Sequence, residues 1–218
     1  MSSLKSYELP TRKLGEEIAN SVTHGIGWLL AIVGLVVLVV EAAQFGNAWH
    51  IVSCSIYAAT LVFMYAASTL YHSLTNPRAK FVFRVIEHSA IFILIAGTYT
   101  PLTLVSLRGP WGWSIFGVVW GIAIAGILFK TLLRKRFSWL STLLYVLMGW
   151  IIVVALKPML QMFPAAGLKW LLWGGLFYTV GAGIYSLKRL PYGHTVWHLF
   201  VLAGSACHYF AIKFYVLP

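Results

Sequence analysis

The sequence has few charged residues. Charged side chains make up only 10% of the 218 residues, whereas hydrophobic residues make up 60%. A soluble domain of this size carries about 25% charged residues, which keep its surface hydrated. The composition therefore excludes a soluble enzyme and a disordered chain.

Acidic residues are especially scarce. The chain has 5 acidic residues against 16 lysines and arginines, which gives a formal net charge of +11. An excess of basic charge is also found in nucleic-acid-binding proteins. Because the chain is so apolar, we instead expect contact with lipid, including anionic lipid, and no nucleic-acid partner.

Cysteine is nearly absent. Cys54 and Cys207 both lie in long apolar runs, where a thiol usually packs as a small hydrophobic group. Two such residues exclude a secreted disulfide scaffold. The first nineteen residues contain no short apolar stretch ending in a small-residue cleavage site, so we expect no removable signal peptide.

Long apolar runs, by contrast, are abundant. A membrane-spanning helix needs about 20 mostly apolar residues. We therefore predict an all-α protein, with an N-terminal segment at 1–19 and a single seven-helix membrane domain at 20–218. The predicted spans are 20–43, 49–72, 81–105, 111–133, 137–157, 168–187 and 194–216. Gly and Pro occur in most of the intervening turns.

The basic residues predict the orientation of the bundle, because cytoplasmic loops are enriched in Lys and Arg. Most of them fall on the side that holds the N-terminus and the second, fourth and sixth loops. These are Lys5, Arg12, Lys13, Arg78, Lys80, Arg84, Lys130, Arg134, Lys135, Arg136, Lys188 and Arg189. The opposite side has only Arg108, Lys157, Lys169 and Lys213. We therefore predict a cytoplasmic N-terminus and an external C-terminus.

Polar residues of four predicted spans share one layer near the cytoplasmic side. They are His24, His72, Glu87, His88, His194 and His198. Ionisable groups inside a bilayer are costly and usually face the bundle interior. His194 and His198 are four residues apart, so both imidazoles project from one helix face. With His72 they would form a three-histidine site with an open fourth position, and nitrogen ligands favour Zn²⁺ over Ca²⁺ or Mg²⁺.

Other polar residues at the same depth are candidates for supporting roles. Glu87 is expected to deprotonate or orient a zinc-activated water, or to bind the metal itself. Ser68, one turn before His72, is expected to hydrogen-bond that water or a substrate oxygen. Each also has a purely structural interpretation: a salt bridge from Glu87 to Arg84, or a hydrogen bond from Ser68 to its own helix.

Further side chains are expected to hold the ligands in place. They are Asn20, His24 and His88. Asn20 and His24 are four residues apart, and a contact at the interface of the first helix explains them equally well.

Four ordered motifs resemble the hemolysin III family, the bacterial branch of the progestin and adipoQ receptor (PAQR) superfamily. They are Glu16 to His24 (EEIANSVTH), Ser68 to His72 (STLYH), Glu87 to Ile91 continuing to Gly97 through Pro101, and His194 to His198 (HTVWH) continuing to His208. The resemblance spans nearly the whole chain.

This resemblance implies a seven-helix bundle with its N-terminus inside and a zinc ion near the cytoplasmic face. By motif, the implied ligands are His72, His194 and His198, joined by Ser68 and the third-helix carboxylate. The family usually has Asp at that last position, where this chain has Glu87. Mammalian relatives are lipid-linked receptors, some with ceramidase-like hydrolysis, and bacterial relatives are connected to membrane lipid homeostasis. The short tails are typical of the bacterial branch and predict location in the inner membrane.

Three functions are compatible with the sequence. The first is a zinc-dependent intramembrane hydrolase of a lipid amide or ester, with Glu87 as base and Ser68 stabilising the oxyanion. The second is a membrane sensor with a structural zinc, for which four protein ligands would be typical. The third is a pore or proton-linked transporter, although the polar residues do not continue across the membrane. In each case a membrane lipid is an expected substrate, ligand or neighbour.

Overall fold

The computed structural model describes residues 12–132, 138–187 and 190–218. Every regular element in these ranges is helical, as predicted. The helices are α1 (Leu14–Phe45), α2 (Ala48–Ser73), α3 (Pro77–Pro101), α4 (Pro110–Leu132), α5 (Ser138–Gly149), α6 (Leu156–Met162), α7 (Ala165–Ser186) and α8 (Gly193–Tyr215). A π-helical turn, Leu102–Ser106, follows α3, and a 3-10 helix, Ile151–Ala155, joins α5 to α6.

Helix α1 places its polar residues inside the bundle and its apolar residues outside. Asn20 and His24 are buried, at 0% and 1% exposure, whereas Leu29 and Leu30 are 65% and 63% exposed. A surface helix of a soluble protein has the opposite arrangement. The outer surface of this helix is therefore suited to lipid rather than to water.

Within the described ranges, six helical segments are long and apolar enough to cross a membrane. They correspond to the first five predicted spans and the last one: Leu14–Phe45, Ala48–Ser73, Pro77–Ser106, Pro110–Leu132, Leu140–Met162 and Gly193–Tyr215. The predicted span 168–187 is also helical, as α7, but this helix is not among the six within the described residues. Its glycines and Lys169 lower its apolar character. A seventh crossing and the orientation of the termini stay predictions.

Helix boundaries follow local capping signals. Helix α2 begins after Asn47, whose side chain accepts hydrogen bonds from Trp49 N and His50 N. Asn76 caps α3 in the same way, with Pro77 in the first turn. Helix α1 begins at Leu14, six residues before the predicted start, because Glu16 and Glu17 favour a helix N-terminus.

Several residues that support the orientation prediction lie outside the described residues. They are Lys5, Arg134, Lys135, Arg136, Lys188 and Arg189. Part of the predicted segment 1–19 and the ends of the spans 111–133 and 137–157 also lie there.

Two interruptions shape the interior. Pro101 has no N–H to donate, and the chain continues beyond it as the π-helical turn, where Leu107 N bonds to Leu102 O at 2.8 Å. A second break separates α5 from the 3-10 helix. There the Tyr99 hydroxyl donates to Gly149 O at 2.8 Å and accepts from Ile152 N at 3.0 Å. Tyr99 thus satisfies backbone groups that the break leaves unpaired.

The helices enclose an internal cavity. Helix α1 packs against α2 and α8, α2 packs against α3, and α7 packs against α8. Side chains of α1, α2, α3, α5, α7 and α8 line the space between them. The first turns of α8 and the last turn of α2 meet at one end of this cavity, where the predicted site residues lie.

Candidate metal centre

The structure brings three histidines and one carboxylate together. His72 closes α2, Glu87 lies in α3, and His194 and His198 project from adjacent turns of α8. One nitrogen or oxygen atom from each lies within 4.8 Å of the others. His72, Glu87 and His198 are buried, and His194 is half-buried. The group has the composition and compactness of a transition-metal site.

His72 is held by a carboxylate on α1. Its Nδ1 lies 2.6 Å from Glu17 Oε2, and since a carboxylate only accepts, the imidazole donates through Nδ1. Nε2 therefore carries the lone pair and faces the interior of the cluster. This nitrogen lies 3.2 Å from His194 Nε2 and 3.6 Å from Glu87 Oε1.

His198 is oriented by the backbone of α1. Its Nδ1 donates to the main-chain oxygen of Asn20 at 3.2 Å and lies 3.3 Å from Thr23 Oγ1. Its Nε2 is buried and has no hydrogen-bond partner within the described part of the chain. Buried polar atoms are normally paired, and a metal ion would satisfy this one.

His194 has a competing contact. Arg12 Nη2 lies 3.2 Å from His194 Nδ1, and a guanidinium only donates, so Nδ1 accepts and Nε2 carries the proton. A metal bound through Nε2 requires that proton on Nδ1 instead. Arg12 must therefore release the ring, and two carboxylates that it already approaches, Glu16 at 3.9 Å and Glu17 at 4.0 Å, offer it other partners.

Glu87 ends a short relay of hydrogen bonds. The Ser68 hydroxyl donates to Glu87 Oε1 at 2.7 Å, so it accepts from His24 Nδ1, which is also 2.7 Å away. The His24 ring stacks on His198, with centroids 3.4 Å apart and planes 8° from parallel. The two rings and the relay fix the carboxylate beside the histidines.

Comparison with known proteins identifies the family of this sequence. A family model described as "Haemolysin-III related" matches residues 12–209. The chain belongs to the hemolysin III family. Its arrangement of apolar helices fits this assignment, and it is a multi-pass membrane protein.

Similar proteins of the hemolysin III family and of the wider superfamily cover nearly the whole chain. "Hemolysin-3" of Bacillus cereus is 46% identical over 208 residues, 95% of each chain. "Hemolysin-3 homolog" of Bacillus subtilis is 46% identical over 92% of this chain and 94% of its own. "Monocyte to macrophage differentiation factor" of Homo sapiens is 26% identical over 92% of this chain and 84% of its own. No solved structure matches the sequence.

The predicted supporting residues lie at different distances from the centre of this hemolysin III site. Asn20 contacts both sides of it: its main-chain oxygen binds His198, its Nδ2 lies 3.5 Å from His72 Nδ1, and its Oδ1 accepts from Thr195. His24 supports Ser68, as described above. His88 donates through Nδ1 to Arg84 O and is not part of the four-residue group.

Glu17 and Arg12 were missed by the sequence analysis. Glu17 accepts from His72, and Lys80 Nζ lies 3.2 Å from its other oxygen. The helical spacing indicates a role for Glu17, because Glu17, Asn20 and His24 stand at i, i+3 and i+7, on one face of the helix. Arg12 precedes the first helical turn, and no periodicity indicates its contact with α8.

The cavity that leads away from the cluster is mostly apolar. His24, Ser68, Glu87 and His194 line its end at the cluster, and aliphatic and aromatic side chains line most of the rest. His208 also lines it, ten residues beyond His198 on α8 and therefore about 15 Å further along the helix axis. A pocket of this shape suits a ligand with one polar end and a long apolar chain.

Proposed function

We propose that this chain is a zinc-dependent membrane hydrolase that cleaves a lipid amide or ester. The observation that carries the proposal is the meeting of three imidazoles and one carboxylate, within 4.8 Å of one another, beside an apolar cavity. Such a donor set fits Zn²⁺, which prefers nitrogen ligands, rather than Ca²⁺ or Mg²⁺. His72, His194 and His198 are the proposed ligands.

The hydrogen bonds around the ligands support this assignment. His72 and His198 each donate through Nδ1, so each has an Nε2 lone pair available for the metal. Metal-bound histidines usually have such a partner on the second ring nitrogen. His194 becomes equivalent when Arg12 moves away from its Nδ1.

Bound zinc would supply Lewis acidity, which polarises a carbonyl group and activates water for attack. Glu87 is positioned to handle the proton. Its Oε1 accepts from the Ser68 hydroxyl through one lone pair and lies 3.6 Å from His72 Nε2, so its second lone pair can accept a proton from the attacking water. As the carbon–nitrogen or carbon–oxygen bond breaks, the same carboxyl group returns the proton to the leaving atom.

Ser68 has a role here that differs from the one expected of it. Its hydroxyl proton points to Glu87, so Ser68 holds and orients the carboxylate, and His24 in turn holds Ser68. Stabilisation of an oxyanion by Ser68 would require this hydrogen bond to break.

The surroundings define the class of substrate. The reacting carbonyl would lie at the cluster and the acyl chain in the apolar cavity. We further propose seven membrane crossings, a cytoplasmic N-terminus and a place in the bacterial inner membrane, where the protein would act in lipid homeostasis.

A membrane sensor with a structural zinc is the second candidate, and one observation favours it. Glu87 Oε1 lies only 3.6 Å from His72 Nε2, close enough for the carboxylate to become a fourth ligand after a small shift. A site with four protein ligands is closed, so it holds the fold together and leaves no position for a substrate.

The deciding experiment combines metal analysis with a substrate panel. Purified protein should contain close to one zinc per chain, and it should release fatty acid from at least one lipid amide or ester. Chelation should abolish that release, and added zinc should restore it. Full zinc content with no zinc-dependent product across ceramides, other amides and phospholipids would favour the sensor.

A further inference from the structure

We propose that the cavity contains a second recognition site, in which His208 accepts a hydrogen bond from a hydroxyl group in the middle of a bound acyl chain. The proposal rests on the proposed lipid function and names its ligand class more narrowly. His208 is a half-buried histidine that lines the cavity far from the metal centre.

One hydrogen bond determines which nitrogen of His208 can accept. Its Nδ1 lies 2.9 Å from the main-chain oxygen of Gly204 and must donate to it, because a carbonyl oxygen only accepts. In the neutral imidazole, Nε2 is then an acceptor. Nε2 has no hydrogen-bond partner within the described ranges, and the ring lines the cavity, so this nitrogen can accept from a ligand.

The ring is also held in a fixed orientation. It stacks on Tyr178 of α7, with centroids 5.3 Å apart and planes 17° from parallel. Its edge lies against the backbone at Gly174, where an added Cβ would come within 2.4 Å of Cε1 and Nδ1. Only glycine permits this approach, and the ring cannot turn freely to present another atom.

Two threonine hydroxyls that line the cavity already donate to the backbone of their own helices. Thr98 donates to Leu94 O, and Thr179 donates to Gly175 O. Neither donor is therefore available to His208. A plain acyl chain would cover the Nε2 lone pair without a partner, which is unfavourable in an apolar cavity.

The position of His208 determines where the hydroxyl must be. His208 lies about 15 Å along α8 from the metal ligand His198, given the helical rise of 1.5 Å per residue. A long acyl chain whose carbonyl lies at the metal centre reaches this depth near its middle. The ligand class is therefore a long-chain lipid acyl group with a mid-chain hydroxyl.

Ricinoleate and oleate test this inference, because ricinoleate is oleate with one mid-chain hydroxyl. We expect zinc-loaded protein to bind ricinoleate about tenfold more tightly than oleate, and the mid-chain keto analogue, which cannot donate, no more tightly than oleate. His208→Phe keeps the aromatic stack but removes the acceptor, so it should bind both fatty acids equally. Thr98→Val is the matched control, since it removes a cavity hydroxyl that already donates to Leu94 O and leaves His208 and its stack in place, and it should retain the preference.

The outcomes separate the two proposals. If oleate binds but ricinoleate binds no better, or if the preference survives His208→Phe, the His208 site is wrong and the lipid function stands. If neither fatty acid binds the zinc-loaded protein, both proposals fail. Oleate affinity and zinc content of His208→Phe that match the unmodified protein show that the variant is folded.

Discussion

Glu17 of α1 accepts a hydrogen bond from Nδ1 of His72, with 2.6 Å between the nitrogen and Oε2. This contact joins the start of the first helix to the end of the second, and it directs His72 Nε2 toward the other ligands. Lys80 and Arg12 approach the same carboxylate and keep it in place. The metal centre therefore depends on a residue that lies outside the group of ligands.

Glu17→Gln should weaken zinc binding, because the amide cannot replace the charged acceptor that orients His72. Losing such a partner typically lowers metal affinity about ten- to a hundredfold. Competition with a zinc chelator measures the change. Glu41→Gln is the matched control, since Glu41 lies near the other end of α1 and pairs with Lys213. Equal affinities of the two variants would show that Glu17 does not act through His72.

His72→Ala and His194→Ala should each lose most of the bound zinc, because two imidazoles cannot complete the site. Elemental analysis of the purified variants measures this. His50→Gln is the control: His50 lies at the N-terminus of α2, at the other end of that helix from His72. Full zinc content in both alanine variants would mean that the ligands are other residues.

Glu87→Gln should keep zinc and lose activity. General acid–base catalysis contributes about 10²- to 10⁴-fold to a rate, so the turnover of a lipid amide or ester should fall by a factor in that range. Ser68→Ala should have a smaller effect, about tenfold, because it removes one hydrogen bond to the carboxylate and leaves the carboxylate itself. Glu87→Gln with undiminished turnover would remove Glu87 from the mechanism.

Gly112→Ala should destabilise the protein through its packing against the π-helical turn. An added Cβ at Gly112 would lie 2.1 Å from Thr103 O and 2.6 Å from Leu107 O, and backbone atoms cannot move aside easily. Overpacking of this kind costs about 1–3 kcal/mol. Thermal unfolding in detergent measures the effect. Gly183→Ala, where nothing lies within 4 Å, should leave the melting temperature unchanged or slightly higher.

The fold was largely predictable where signals were local. Hydropathy placed the second span at 49–72, within one residue of the observed Ala48–Ser73. The fifth span was predicted as a continuous helix, but the α-helix ends at Gly149 and a 3-10 helix follows. This interruption is tolerated because the Tyr99 hydroxyl of α3 bonds to the backbone of Gly149 and Ile152. That compensation is a tertiary contact, and periodicity within one span does not reveal it.

In the metal centre, too, the local features were predictable and the tertiary contacts were not. The spacing of His194 and His198 on one helix, together with the depth of His72 and Glu87, was enough to predict the group of four residues. The contacts of Glu17 with His72 and of Arg12 with His194 span 55 and 182 residues along the chain. They depend on how α1 packs against α2 and α8, which the pattern of a single helix does not determine.

The most direct test of the metal centre is X-ray absorption spectroscopy at the zinc edge, applied to the purified protein and to Glu87→Gln. The proposed hydrolase site predicts three imidazole ligands and one oxygen ligand in both samples, because the oxygen belongs to water. Fewer than three imidazoles, or an oxygen ligand that disappears in Glu87→Gln, would contradict an open three-histidine site.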